Sequence, residues 1–131
     1  LPQSTAILLE AMMSKFEDLI GMTLVSVENR NDEEFVFTTS EGRVFKLWHD
    51  QDCCETVYIE DIAGDLPDLV GSPILVAAEV SQDDQNADES GTWTFYKLAT
   101  VKGWVDIRWY GSSNGYYSES VEFIEVERSN D

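Results

Sequence analysis

The residue types that most often carry chemistry are concentrated in one heptapeptide, His49-Asp50-Gln51-Asp52-Cys53-Cys54-Glu55. It contains the single histidine and both cysteines of the chain. Imidazole, thiolate and carboxylate groups are the side chains that ligate metal ions. A zinc site would need further ligands from elsewhere, and the chain has no other His or Cys to supply them. The sequence therefore disfavours zinc.

Oxygen ligands leave a divalent-cation site open, formed by Asp50, Asp52 and Glu55. Asp50-x-Asp52 resembles the start of a calcium-binding loop, but the sixth position is Glu55 where glycine is needed. The run Asp84-x-Asn86-x-Asp88 fails the same test, because an acidic residue again stands at the glycine position. A looser cation or small-ligand site around this heptapeptide is the alternative function, and no cofactor is predicted.

The adjacent cysteines, Cys53 and Cys54, allow two states. They could form a vicinal disulfide or a reactive thiol pair. In an extended strand they would instead point to opposite sides, one buried as a small hydrophobe and one exposed. Neighbouring carboxylates raise the pKa of a thiol and so reduce thiolate reactivity. This favours the unbonded arrangement, with one cysteine buried and one exposed.

The pentapeptide Gly111-Ser112-Ser113-Asn114-Gly115 matches the G-x-S-x-G pattern of hydrolase nucleophiles. That motif needs a strand before it and a helix after it, whereas a strand-like segment follows here. The candidate general base, His49, lies in a different region of the chain. The sequence therefore predicts a protein that is not an enzyme, with no catalytic residues.

The same region is better suited to binding a partner. Its aromatic and small polar side chains are typical of binding loops, because tyrosine brings contact area at a low cost in conformational entropy. A glycine-rich hairpin turn is the simpler alternative. The residues that we assign to partner binding in this loop are Tyr110, Ser113, Asn114, Tyr116 and Tyr117.

The chain is strongly acidic, with 26 Asp and Glu against eight Lys and Arg and a formal net charge of −18. Between Lys46 and Lys97 lie twelve carboxylates and no Lys or Arg. Such a charge repels nucleic acid and anionic membranes and attracts basic surfaces. The predicted partner is therefore a protein with a basic surface, without direct binding of nucleic acid or membrane. Within this region we assign partner binding to Asp83, Asp84, Asp88 and Glu89.

The elements that must position these residues begin with a predicted helix over Ser4 to Ile20, where apolar residues recur on one broad face. After Gly21 the apolar period changes to two, which indicates strands. Residues 81–91 carry four acids and no large apolar side chain, and predict a mobile solvated loop. The predicted strands are 23–28, 34–39, 43–48, 55–62, 74–80, 92–101, 104–110 and 117–126.

This pattern predicts an α+β fold, with an N-terminal helix packed on a largely antiparallel sheet of about seven or eight strands. A length of 131 residues suits one domain, spanning 1–131. No apolar run approaches the roughly 20 residues that span a bilayer. Two adjacent cysteines do not make a disulfide framework, so we expect a cytoplasmic protein.

Four strings in the chain are distinctive: HDQDCCE from His49, GSPIL from Gly71, WTFYK from Trp93 and RWYGSSNGYYS from Arg108. With these strings, residues 22–124 resemble an uncharacterised domain family of phage and bacterial genomes. The resemblance implies a phage-related context and brings no established activity. Some small acidic phage proteins inhibit host defence proteins by presenting carboxylates where phosphates would bind. By this analogy, the chain is predicted to inhibit a nucleic-acid-binding host protein.

Overall fold

The computed structural model describes residues 14–126, which form two four-stranded antiparallel sheets and two short 3-10 turns. No helix among these residues is long and apolar enough to cross a membrane. The turns are Phe16–Leu19 and Leu66–Leu69. The strands are β1 (Leu24–Arg30), β2 (Glu34–Thr39), β3 (Val44–Trp48), β4 (Thr56–Ala63), β5 (Val76–Asp83), β6 (Ser90–Thr100), β7 (Gly103–Ser113) and β8 (Glu122–Val126).

The strand order shows that the chain passes between the sheets twice at one end of the domain. The first sheet has the order β1-β2-β3-β8 and the second has β4-β7-β6-β5. Residues 49–55, here called the first crossover, lead from β3 to β4. Residues 114–121, the second crossover, lead back from β7 to β8. Because β3 pairs with β8 and β4 pairs with β7, both crossovers join the same two pairs of strands.

The inner faces of the two sheets share one hydrophobic core. The first sheet contributes a cross-strand set in which Phe35 pairs with Leu47 and Phe37 pairs with Phe45. Burial of apolar side chains from both sheets in one layer between them holds the two sheets together. The fully buried residues that the second sheet contributes are Tyr96, Leu98, Val105, Ile107 and Trp109.

The predicted α+β class is wrong, because the described residues are nearly all β. Residues 4–13 of the predicted helix lie outside the described part of the chain. Within residues 14–20 there is only the first 3-10 turn, after which Ile20 is extended. Phe16 packs edge-on against Tyr96 and Phe123, so its apolar spacing serves one turn between the sheets rather than a helix face. The second sheet covers the core that a helix was expected to cover.

Two strand boundaries also differ from those predicted. The prediction of a long solvated loop over residues 81–91 is wrong, since β5 runs to Asp83 and β6 starts at Ser90. Cross-strand pairing with the Thr-rich start of β6 keeps the polar end of β5 extended. The strand predicted for residues 117–126 is confined to Glu122–Val126, because the chain first has to change sheets.

A close contact at Gly111 gives a test of this arrangement. A Cβ there would lie 2.6 Å from the backbone oxygen of Glu119 and 2.9 Å from its Cβ, so the second crossover would have to move. We expect Gly111→Ala to lower the free energy of unfolding by about 1–3 kcal/mol through overpacking. Equilibrium unfolding in urea measures this change.

Ser112→Ala is the matched control, because Ser112 is the next residue on the same strand and faces the opposite side. We expect it to change stability by no more than about 0.5 kcal/mol. Equal urea midpoints for the two variants would contradict the close packing of the second crossover on β7.

Candidate functional site

A buried carboxylate, that of Glu55, is the centre of the first crossover. Only 4% of Glu55 is exposed. Its Oε2 accepts hydrogen bonds from the backbone N–H of Asp52 at 2.8 Å, and its Oε1 accepts one from the N–H of Cys53 at 3.0 Å. The side chain of Gln51 donates to the backbone oxygen of Glu55 at 2.7 Å. The crossover is therefore wrapped around a single charged group.

The ring of His49 joins this carboxylate to the second crossover. Its Nε2 lies 2.7 Å from Oε2 of Glu55, and its Nδ1 lies 2.7 Å from the backbone oxygen of Ser120. Both ring nitrogens therefore face oxygen atoms, and the side chains of His49 and Glu55 are both buried.

These donors favour the ionised form of Glu55. The N–H groups of Asp52 and Cys53, followed by His49, lower its pKa from 4.5 to about 2, against the opposing effect of burial. A buried charge without such partners would be costly. Through His49, the same set of hydrogen bonds joins the first crossover to the second.

The cation site predicted from Asp50, Asp52 and Glu55 gains no support from this geometry. Asp50 and Asp52 are exposed, while both carboxylate oxygens of Glu55 face protein donors. Among residues 14–126, no group of three or more His, Cys, Asp and Glu side chains is placed to hold a metal ion.

Cys53 and Cys54 are joined by a disulfide. The expectation that they point to opposite sides of a strand is wrong, because the chain at these residues bends around Glu55 instead of extending. Both residues are exposed. No free cysteine is present in the described chain.

Next to this disulfide lies a cleft of about 460 Å³. One wall is the hairpin loop between β5 and β6, and the other is the end of β7, with the start of β4 at its base. We call it the acidic cleft. Its lining residues are Cys54, Thr56, Ala87, Asp88, Glu89, Ser90, Tyr110, Ser112, Ser113 and Asn114.

The hairpin-loop wall is held in place through Asp84. Its carboxylate accepts a hydrogen bond from the hydroxyl of Tyr110 at 2.7 Å and another from the N–H of Asn86 at 3.0 Å. The first of these raises the pKa of Tyr110 to about 12. The ring of Tyr110 in turn packs against Trp93, with ring centroids 4.4 Å apart. The acidic loop is thus fixed to β7.

The opposite wall is held by Glu119 of the second crossover. Its carboxylate accepts hydrogen bonds from Ser113 at 2.5 Å and from Thr92 at 2.8 Å. Burial acts to raise the pKa of Glu119, but the donors Ser113, Thr92 and Ser90 together outweigh it and lower the pKa. A second groove, of about 400 Å³, lies on the other side of Ser90 and is lined by Glu79, Thr92, Tyr117 and Glu119 among others.

Of the nine residues assigned to partner binding, five line the acidic cleft: Asp88, Glu89, Tyr110, Ser113 and Asn114. Asp84 does not line the cleft but accepts a hydrogen bond from Tyr110, which does, and Tyr117 lines the second groove. Asp83, at the end of β5, and Tyr116, which is 84% exposed, do not line either cavity.

Sequence reasoning missed Cys54, Thr56 and Glu119 as parts of this region. Thr56 is the first residue of β4 and pairs with Ser112 on β7, and Cys54 lies two residues before it in the first crossover, so only the pairing of β4 with β7 places them beside the cleft. Glu119 had no distinguishing neighbour in the sequence. Its role arises because the second crossover passes directly over Gly111.

The hydrolase pattern does not assemble a nucleophile with a base. The hydroxyl of Ser113 faces Glu119 and the backbone oxygen of Tyr117. Both nitrogens of His49 are engaged by Glu55 and Ser120. The Gly-rich segment instead ends β7 and forms one wall of the cleft.

The lowered pKa of Glu55 predicts an acid-sensitive contribution to stability. This contribution is complete above pH 4.5, the ordinary pKa, and is lost as the pH falls towards about 2. Glu55→Gln removes the charge and leaves an NH2 group facing one of the donors. We expect a lower melting temperature at neutral pH and a shallower loss of stability with acid, both measured by thermal unfolding across pH.

Glu33→Gln is the control, since Glu33 is exposed in the β1–β2 turn. It should reproduce the acid profile of the unmodified protein. An acid profile for Glu55→Gln that matches the unmodified protein would show that Glu55 is not the buried, ionised centre.

Comparisons with known proteins identify one family. No curated protein and no solved structure matches the chain. A family model described as a domain of unknown function (DUF7448) matches residues 17–123. These residues include both crossovers, β1 to β7 and the start of β8, as far as Phe123. The chain therefore belongs to the DUF7448 family.

Proposed function

We propose that this domain is a non-enzymatic interaction protein that binds a basic surface of a partner protein in the acidic cleft. The observation that carries the proposal is the separation of charge over the domain. Asp88 and Glu89 are exposed carboxylates at the cleft, and no Lys or Arg is among the residues that line it.

Most cations of residues 14–126 are paired away from the cleft. Five of the seven form ion pairs with carboxylates that line neither the cleft nor the second groove: Arg30 with Glu28, Arg43 with Glu125, Lys46 with Glu34, Lys97 with Asp106 and Arg108 with Glu60. Internal pairing therefore neutralises other parts of the surface. The carboxylates of the cleft keep their full attraction for an external cation.

The chemistry of the cleft suits an arginine or lysine side chain. Asp88 and Glu89 supply acceptors for a guanidinium or ammonium group, and such charge-assisted hydrogen bonds are stronger than neutral ones. Asn114 and Ser112 add neutral hydrogen-bonding groups, and Tyr110 adds an aromatic face. Because Asp84 and Glu119 hold the walls, little ordering is needed on binding, which favours affinity.

A partner that normally binds nucleic acid fits this description, because its basic surface already recognises anionic groups. The net charge of −18 would also repel the nucleic acid itself. Together with the resemblance to phage and bacterial domains, this supports a more specific proposal. The protein would inhibit a nucleic-acid-binding host defence protein by occupying its phosphate-binding surface.

Neutralising the two cleft carboxylates tests the proposal. We expect Asp88→Asn/Glu89→Gln to weaken binding of a fluorescent arginine-rich peptide roughly tenfold, if each charge contributes about 0.5–1 kcal/mol. Binding should also weaken as salt is raised, because the attraction is electrostatic. Fluorescence anisotropy at low and high salt measures both effects.

The matched control is Glu41→Gln/Asp65→Asn, which changes the net charge equally at exposed residues outside both cavities. It should reduce affinity far less. Equal losses for the two double variants would mean that only total charge matters, and the cleft would no longer be the binding surface.

A further inference from the structure

The disulfide between Cys53 and Cys54 lies where the first crossover meets the acidic cleft. Both cysteines are exposed, and Cys54 is one of the residues that line the cleft. Solvent and small molecules can therefore reach the sulfur atoms. Nothing in the proposed binding of a basic partner requires these residues to be bonded.

This disulfide is poorly suited to a purely structural role. A disulfide stabilises a protein mainly by closing a loop of the unfolded chain, and the gain grows with the length of that loop. Adjacent residues close the shortest loop that a chain can have. The crossover is in any case already held by the hydrogen bonds of Glu55 with Asp52, Cys53 and His49.

We propose that Cys53–Cys54 is a reversible redox site whose state changes the shape of the acidic cleft. The reductant is a dithiol or two molecules of a monothiol such as glutathione. A reductant thiolate attacks one sulfur of the pair, the Cys53–Cys54 bond breaks, and the released cysteine sulfur takes a proton. A second reductant thiolate resolves the mixed disulfide, so the protein gains two electrons and two protons and the reductant becomes a disulfide.

The surroundings of the pair are acidic. Asp50 and Asp52 flank the cysteines in sequence, and the carboxylate of Glu55 binds the N–H of Cys53. Nearby negative charge disfavours the thiolate that a catalytic cysteine needs, so the pair is not suited to nucleophilic catalysis.

Reduction acts on the shape of the cleft instead. The closed ring fixes the backbone between Cys53 and Cys54, whereas the reduced residues can adopt independent side-chain rotamers. Cys54 contributes to the same cavity as Tyr110 and Asp88, and Thr56 two residues later pairs with Ser112 on β7. The effect of reduction is therefore expected at the base of the cleft.

Equilibration of the full chain in glutathione buffers of increasing reduced fraction, followed by alkylation and mass spectrometry, tests the redox step. We expect a single transition from no alkylated cysteines to two. Two alkylated cysteines even in fully oxidised glutathione, or none in excess dithiothreitol, would overturn the proposal.

The effect on the cleft is tested by amide NMR spectra of the oxidised and reduced protein. We expect shifts beyond residues 53–54 at 87–90 and 110–114, and no change on adding reductant to Cys53→Ser/Cys54→Ser. Shifts confined to residues 50–56 would overturn the link to the cleft, and the unmodified protein alone decides this if the variant does not fold. No partner is used, so the result is independent of the proposed function.

Discussion

The structure depends on one buried charge, the carboxylate of Glu55. Removing a carboxylate from water is costly, and here that cost is offset by two backbone N–H groups and the ring of His49. Since His49 also binds the backbone of Ser120, the same charge fixes both passages of the chain between the sheets. The groups around Glu55 all belong to residues 49–53, and only the backbone oxygen of Ser120, which contacts His49, comes from the second crossover.

One wall of the acidic cleft follows from this constraint. Fixing the second crossover places Glu119 against β7, where it accepts hydrogen bonds from Ser113 and Thr92. The acidic hairpin loop is attached independently through Asp84 and Tyr110. Carboxylates in this region thus have two different uses: Glu55, Asp84 and Glu119 hold the walls, while Asp88 and Glu89 face solvent. The acidic region is partly a structural network and partly a charged surface.

The sequence predicted the strands well, because alternating apolar residues such as Phe35 and Phe37 mark a half-buried sheet face. It did not predict how the strands divide into two sheets, since crossovers depend on long-range pairing that no local pattern encodes. The apolar spacing around Phe16 produced a false helix over the described residues 14–20. Of the site, the aromatic and acidic loops were found by composition, whereas the roles of His49 and Glu55 required the structure.

We propose that the cleft between the acidic loop and the end of β7 binds a cationic side chain. Titration of the isotope-labelled protein with an arginine-rich peptide, followed by amide NMR, tests it most directly. We expect shifts that concentrate at residues 87–90 and 110–114. The proposal would be contradicted by shifts that cluster around Trp104, which is 61% exposed at the other end of the second sheet, or that spread evenly over all acidic residues.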